Sequence, residues 1–250
     1  QIDEMNNAII IAEKSVTADK PDMRFVDKGS RIKTVSFLNY SVFVTLFAVL
    51  IGGWLMASEF QQGTIRLLMI RPKTRLKILG AKFLAALIIC LVVYIAGSML
   101  NIVVNGICYG FADYAYPNYT IAGEIGFFAY YLPKMLACMV PIVFGYAFAF
   151  MLSVLIKNVA VAIAVPIAGH IGSIILMATM AYRQGVDWLA YTPIPYLQLA
   201  TYFIQTITPN IYGNSGVTMN LAYGIILLLG LSVIFISTAS IVFKKSDITN

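Results

Sequence analysis

Five long stretches without a charged residue most strongly limit what this chain can fold into. Charged residues make up only 11% of the chain, and 60% of its residues are hydrophobic. A helix of about 20 residues crosses the hydrocarbon core of a bilayer, and every one of these stretches is long enough to do so. We therefore expect an all-α polytopic membrane protein. The stretches cover residues 34–58, 83–112, 135–156, 158–182 and 188–243.

The predicted spans lie within or close to these stretches. Three prolines and a glycine interrupt the first part of the last stretch, so only its final part predicts a continuous helix. Residues 37–250 are the predicted transmembrane domain. The apolar segments 120–132 and 189–208 are too short or too broken to cross and predict interfacial helices along the outer leaflet. We place the spans near 37–57, 79–104, 134–156, 159–181 and 220–243.

Basic residues in the short loops predict the orientation of the spans. Loop 58–78 carries five of them, and Lys157 and the C-terminal tail fall on the same side. The loops of the opposite side carry only Lys134 and Arg183. The side richer in lysine and arginine is expected to be cytoplasmic.

Segment 1–36 is then expected outside the membrane. It contains six basic and six acidic residues and no apolar region typical of a signal peptide. A segment of this length and balance translocates without opposing the charge rule. An outer N-terminal segment without a leader predicts one further span upstream of Gln1, which gives six spans in the intact protein.

The basic loop 58–78 has a pattern of helix breakers and caps. Gly63 suits the left-handed position that ends a helix, and Thr64 can cap the next one. Pro72 ends that short helix, which we predict over 64–71. One interpretation is an anchor whose cations meet anionic lipid, and the other is a coupling helix that docks in the groove of another protein.

Several kinds of chemistry have no residue pattern to support them. The chain has no G-x-x-x-x-G-K-[ST] sequence and no Gly-Lys dipeptide, so it is expected to bind no nucleotide itself. Cys90, Cys108 and Cys138 lack metal-ligand spacing, and no metal site is expected. The basic residues flank apolar spans without interleaved aromatic residues, so nucleic acid is not an expected partner.

Four polar residues within or near the spans are candidates for a translocation path. His170 is the only histidine, and an ionisable group at membrane depth indicates function by default. A neutral imidazole bonded to a neighbouring helix is the alternative. Asn101 and Asn105 share one helix face, and they line a polar path or reach interfacial water. Asn39 is a similar candidate on the first span.

Glu59 lies at the inner end of a helix, where its charge opposes the helix dipole. It is therefore expected to pair with a basic residue such as Arg66, or to face a partner protein. A solvated carboxylate at the helix end is the third possibility. The predicted spans contain no aspartate or glutamate, so catalytic residues are not expected.

The basic loop and its flanks also resemble a known family. Permeases of ATP-binding-cassette exporters of the second type carry the signature E-x-x-x-G-T, a leucine pair, P-x-S-R and a lysine on the next helix. The only departure here is Thr74, which replaces the usual serine. The matching residues are Glu59, Gly63, Thr64, Leu67, Leu68, Pro72, Thr74, Arg75 and Lys82.

The resemblance implies a role in ATP-driven export. Such permeases have six spans, pair with a second permease copy or paralogue, and rest on separate ATPase subunits that bind ATP and Mg²⁺. The implied cargo is an amphipathic peptide or a hydrophobic drug-like molecule, and the implied location is a bacterial plasma membrane. The alternatives are a non-transporting immunity or sensor subunit and an intramembrane enzyme that uses His170. The implied ATPase-coupling residues are Glu59, Gly63, Thr64, Arg66, Leu67, Leu68, Arg71, Pro72, Arg75 and Lys82.

Overall fold

The chain is an all-α polytopic membrane protein, as its sequence predicts. The computed structural model describes residues 2–19, 29–64, 75–120, 123–180, 187–202 and 220–245. Within these ranges five helices are long and apolar enough to cross a membrane. They span Ser30–Gln61, Leu76–Tyr109, Phe127–Ile156, Val159–Met180 and Leu221–Lys245.

The N-terminal part forms a short helix and a long rod. Helix α1 spans Ile2–Thr17, in a segment where the sequence analysis predicted no helix. Helices α2 (Ser30–Phe37) and α3 (Ser41–Gln61) are joined by the 3₁₀ turn Leu38–Tyr40 into one rod. This rod begins before the predicted start of the first span at residue 37, because charged residues end an apolar run without ending a helix.

A hairpin connects the next two long helices. Helix α4 spans Arg75–Tyr109 and helix α5 spans Phe127–Ile156. Between them, strands β1 (Asn118–Thr120) and β2 (Gly123–Ile125) pair antiparallel, with Asn118 opposite Ile125. The prediction of an interfacial helix over 120–132 is therefore wrong. The end of that segment instead belongs to α5, which begins after Gly126.

A tight turn links α5 to helix α6 (Val159–Met180), at the boundary that the sequence predicts. Lys157 adopts left-handed backbone with φ 57° and ends α5. The Asn158 side chain then accepts a hydrogen bond from the backbone N–H of Ala160 at 2.9 Å. This cap satisfies one of the free donors at the start of α6.

Short helices precede the last span. The 3₁₀ helices Asp187–Tyr191 and Pro195–Gln198 lead into the one-turn helix α7 (Leu199–Tyr202), and helix α8 spans Leu221–Lys245. The segment 189–208, predicted to form interfacial helices, is thus helical in short pieces up to residue 202, because its prolines divide it. Residues 203–208 lie outside the described ranges.

Helices α3 and α5 form the core of the bundle. The position of a Cβ on Gly52 would lie 2.9 Å from the Tyr146 carbonyl oxygen, so only glycine permits this approach. Ser153 Oγ accepts hydrogen bonds from the backbone N–H groups of Met56 and Ala57, at 3.1 and 2.7 Å. Small residues and interhelical hydrogen bonds of this kind hold helices together in lipid.

Helices α4, α6 and α8 lie at the periphery. We compared the most apolar 18 residues of each span. In the rod and in α5, 56% of this section is buried, whereas the buried share is 28% in α4, 22% in α6 and 17% in α8. The exposed side chains on these outer helices are large and apolar, which suits contact with lipid. Examples are Ile88, Val92, Ile107, Ile175, Ile226 and Val233.

We expect Gly53→Ala to destabilise the protein and Gly230→Ala to leave it unchanged or slightly more stable. A Cβ on Gly53 would lie 2.9 Å from the Ala162 carbonyl oxygen of α6, whereas Gly230 has nothing within 4 Å. Overpacking at a helix contact costs about 1–3 kcal/mol, and alanine is the better helix former at the open site. Thermal unfolding in detergent measures both. Equal melting temperatures for the two variants would contradict the described α3–α6 contact.

Candidate functional site

The end of α3 has the backbone that the sequence predicts. The N–H of Gln62 bonds the carbonyl of Ser58 at 2.9 Å, and Gly63 follows in left-handed conformation with φ 70°. A side chain at Gly63 would strain this conformation. The chain therefore leaves α3 sharply at Gly63, and α4 begins at Arg75.

Most of the predicted coupling helix 64–71 lies outside the described residues. Thr64 is described and half-buried. Arg75 is the first residue of α4, but its side chain is not among those described. The candidates that fall outside the described ranges are Arg66, Leu67, Leu68, Arg71 and Pro72.

An ion pair joins the two helices on either side of this segment. Lys82 Nζ of α4 donates a hydrogen bond to Glu59 Oε1 of α3. The two side chains are 23% and 20% exposed, so water screens the pair only in part. The expectation that Glu59 pairs with a basic residue is confirmed, but the partner is Lys82 rather than the suggested Arg66. The packing of α4 beside α3 places Lys82, two turns into its helix, at the level of Glu59.

Glu59 retains one further acceptor. Its Oε2 atom is buried and has no hydrogen-bond partner among the described residues. A buried carboxylate oxygen without a donor is unfavourable. Glu59 can therefore accept a second donor at this end of the bundle.

Phe60 brings the remaining basic elements to the same end. Its ring packs edge-on against Phe243 of α8 with centroids 6.3 Å apart, and Lys157 Nζ lies 5.0 Å from its centroid. Glu59 and Lys82 lie at this end as well. The two described ends of the basic loop, Lys157 and the end of the last helix thus lie at one end of the bundle, which we call the basic end.

The four candidate path residues do not form one polar site. Asn105 Nδ2 donates to Asn101 Oδ1 at 2.8 Å, and this is the only hydrogen bond between any two of the four in the described ranges. Asn39 is exposed. His170 is 4% exposed, and its Nε2 has no hydrogen-bond partner among described residues. From the sequence, one alternative was a neutral imidazole bonded to a neighbouring helix. The structure shows no such bond at Nε2 among the described residues.

The opposite end of the bundle holds a polar cluster that sequence reasoning missed. The carboxylate of Asp113 accepts hydrogen bonds from the backbone N–H and Oγ of Ser30, at 3.0 and 3.3 Å. Arg31 donates to the carbonyl of Tyr116 and lies 5.5 Å from the centroid of the Phe127 ring. These contacts join the loop after α4 to the start of the rod. No local pattern links residues that lie about eighty positions apart.

Lys134 is the clearest error in placement. Its charge was counted with the outer loops although the predicted span 134–156 begins at this residue, and the structure places it within α5, only 1% exposed. Pro133 directly precedes Lys134 in this helix. It falls in the second turn of α5, near the end where missing donors are tolerated best, so the helix passes through it.

Comparison with known proteins places the chain in an uncharacterised group. A family model described as "Protein of unknown function (DUF2705)" matches residues 7–249. The chain is also similar to "Uncharacterized protein YhcI" of Bacillus subtilis (strain 168), with 27% identity over 224 residues. That alignment covers 85% of this chain and 67% of the relative.

We expect Lys82→Met and Glu59→Gln each to lower stability, and the double variant to lose less than the sum of the two. Each single change leaves one half of a shielded pair without its partner. Coupling energies for such contacts are about 0.5–3 kcal/mol. Thermal unfolding of the four proteins in detergent gives this energy. Lys77→Met, on an exposed lysine of the same helix, is the matched control, and strict additivity of the two changes would contradict the ion pair.

Proposed function

The chain belongs to the DUF2705 family, and we propose that it is the membrane-spanning subunit of an ATP-driven exporter. A separate ATPase subunit binds ATP and Mg²⁺ and supplies the energy. The cargo is an amphipathic peptide or a hydrophobic drug-like molecule. The membrane is a bacterial plasma membrane, and the working unit contains a second permease copy or paralogue.

The ion pair between Glu59 and Lys82 is the observation that carries this proposal. Both residues belong to the signature that resembles exporter permeases, at its first and last positions. They pair across the two helices that flank the basic segment 65–74. A positively charged segment held between two linked helix ends suits attachment to another protein better than a lipid anchor, which requires no such link.

The contacts at the basic end provide a path by which a displacement of segment 65–74 would reach the membrane-spanning helices. A push on segment 65–74 acts on α3 and α4 together, since Glu59 and Lys82 join them. Ser153 carries it from α3 to α5 through its two hydrogen bonds. The packing of Phe60 on Phe243 carries it to α8. Movement driven by the ATPase would thus repack the helices that enclose the cargo, which is coupling between two states.

The peripheral helices fit an amphipathic or hydrophobic cargo. Large apolar side chains cover the outer faces of α4, α6 and α8. A hydrophobic cargo can reach such faces from within the bilayer. Recognition of such a cargo would rest on shape and apolar contact with these faces.

We expect the charge reversals Arg66→Glu and Arg71→Glu to abolish binding of the ATPase subunit. The measurement is co-purification of a Walker-motif ATPase, identified by mass spectrometry, together with cargo-stimulated ATP hydrolysis by the purified complex. Lys244→Glu and Lys245→Glu are matched controls, because they lie at the basic end but outside the capped segment. Equal loss in all four variants would favour a lipid anchor. Normal assembly without stimulated hydrolysis would favour a non-transporting subunit.

We expect the basic end to face the cytoplasm. Arg71→Cys in a Cys108→Ser background should resist a membrane-impermeant maleimide in intact cells and react in inside-out vesicles. Cys90 and Cys138 are buried and do not interfere. Ala115→Cys, in the exposed loop after α4, should give the reverse pattern. Labelling of residue 71 from the cell exterior would contradict the exporter proposal.

A further inference from the structure

Helix α1 turns an apolar side away from the rest of its own chain. Ile9 and Val16 are 53% and 78% exposed on this side, and Ala12 between them is exposed as well. Lys14 and Ser15, on the far side of the helix, are half-buried, and α1 contacts strand β1. An amphipathic helix ordinarily packs its apolar side onto its own protein. The apolar side of α1 is therefore open to another surface.

The apolar residues of α1 follow a coiled-coil repeat. They recur at alternating spacings of three and four residues along the whole helix, which places them on one side. β-branched residues occupy every first position of the seven-residue repeat, as is favoured in parallel two-stranded coiled coils. The first positions are Ile2, Ile9 and Val16, and the fourth positions are Met5 and Ala12. We call these five residues the α1 seam.

The charge of α1 argues against a membrane surface as the occupant of the seam. Helices that lie on a bilayer are rich in lysine and arginine on their polar side, which anionic lipids attract. Helix α1 carries Asp3, Glu4 and Glu13 against the single cation Lys14, so its net charge is −2. Glu13 is exposed and lies next to the seam. Anionic headgroups would repel this helix.

A second copy of the same helix meets no such repulsion. In a parallel pair, the position before each repeat lies opposite the fifth position of the next repeat in the other chain. This rule sets Glu13 against Ala8, so the pair brings no like charges together. The apolar side is also complementary to itself, because the same type of residue occurs at each first position.

The length of α1 fits helices that are already held close together. It has 16 residues, or about 24 Å, and so contains little more than two repeats. Helices of about this length are only marginally stable alone in water. Two chains that share one membrane assembly raise the effective concentration of the seam to the millimolar range, at about the level that short tethers give.

We propose that the α1 seam packs against the α1 seam of a second, identical chain as a short parallel coiled coil. This inference names the surface through which the second permease copy of the proposed function is joined, and it rests on that function only for the presence of the copy. The contact itself requires no ATPase, so the two proposals can be tested separately.

The first test is disulfide cross-linking of the full chain in membrane vesicles, in a Cys108→Ser background. Cys90 and Cys138 are buried and do not interfere. Because equal first positions face each other in a parallel pair, oxidation with copper phenanthroline should link Ile9→Cys and Val16→Cys into dimers. Thr17→Cys is the matched control, since Thr17 is exposed on the same helix but lies outside the seam.

The pattern of cross-links decides the outcome. Equal linking of Thr17→Cys and Val16→Cys would mean random collision and would overturn the proposal. Linking at Ile9→Cys without linking at Val16→Cys would mean crossed or antiparallel helices and would overturn it as well. A label on Val16→Cys that lipid vesicles shield when the protein is monomeric would identify a membrane as the occupant, with the same consequence.

The second test is the dimer dissociation constant in detergent, measured by analytical ultracentrifugation. We expect the double variant Ile9→Glu, Val16→Glu to raise it about tenfold or more, because charges then enter an apolar contact. Thr17→Glu should leave it unchanged. These side chains are exposed, so the fold of the monomer should persist, and thermal unfolding checks this. A wild-type protein that is monomeric at all concentrations, or a double variant that dimerises as well as wild type, would overturn the proposal.

The same samples separate this inference from ATP-driven export. Cross-linked dimers in a protein that binds no ATPase would support the α1 contact and contradict export. A complex that binds and stimulates the ATPase but shows no cross-link at Ile9→Cys or Val16→Cys would support export and overturn the α1 contact.

Discussion

The close contact between α3 and α5 determines where the other elements of the protein lie. Water does not drive helices together within a bilayer, so backbone proximity and hydrogen bonds must hold them. Here Gly52 permits the approach to Tyr146, and Ser153 bonds two backbone N–H groups of the facing helix. Tyr146 continues the contact outward, because its hydroxyl donates to the Phe83 carbonyl of α4 at 3.0 Å. The two central helices therefore form one closely packed pair.

Charged residues lie near both ends of this pair of helices. The rod carries Arg31 near one end and Glu59 near the other, and α5 carries Lys134 near the first of these ends. The ends differ in how they neutralise charge. Glu59 and Lys82 neutralise each other across two helices at the basic end. Lys134, at the opposite end, has aromatic contact without a described carboxylate partner.

The sequence predicts those features of the fold that depend on local composition, such as the spans and the turns between them. Uncharged length identified all five spans of the described ranges. Gly63 located the left-handed turn, and the single charge between two uncharged stretches located the α5–α6 turn at Lys157. Helix starts were less accurate, since a charge such as Arg31 ends an apolar run while the helix continues. The β hairpin was missed because an apolar run of that length was interpreted as a helix.

Contacts between distant segments could not be predicted in the same way. Ser30 and Asp113 are far apart in sequence, and so are Glu59 and Lys82. Nothing in periodicity or capping indicates that these particular residues meet, since the meeting depends on how α2, α3 and α4 pack. The sequence restricted Glu59 to a few partners, and tertiary structure selected one of them. The predicted roles of Arg66 and Arg71 stay predictions from the sequence.

The position of Lys134 bears on the topology argument. The positive-inside rule counts lysine and arginine in short loops and near the ends of spans. A lysine buried in α5 is no longer a loop charge, so the loop between α4 and α5 has fewer cations than the sequence suggested. Lys134 still lies seven positions from the start of α5, so the rule counts it as a charge near the end of a span, and its burial leaves the predicted orientation unchanged.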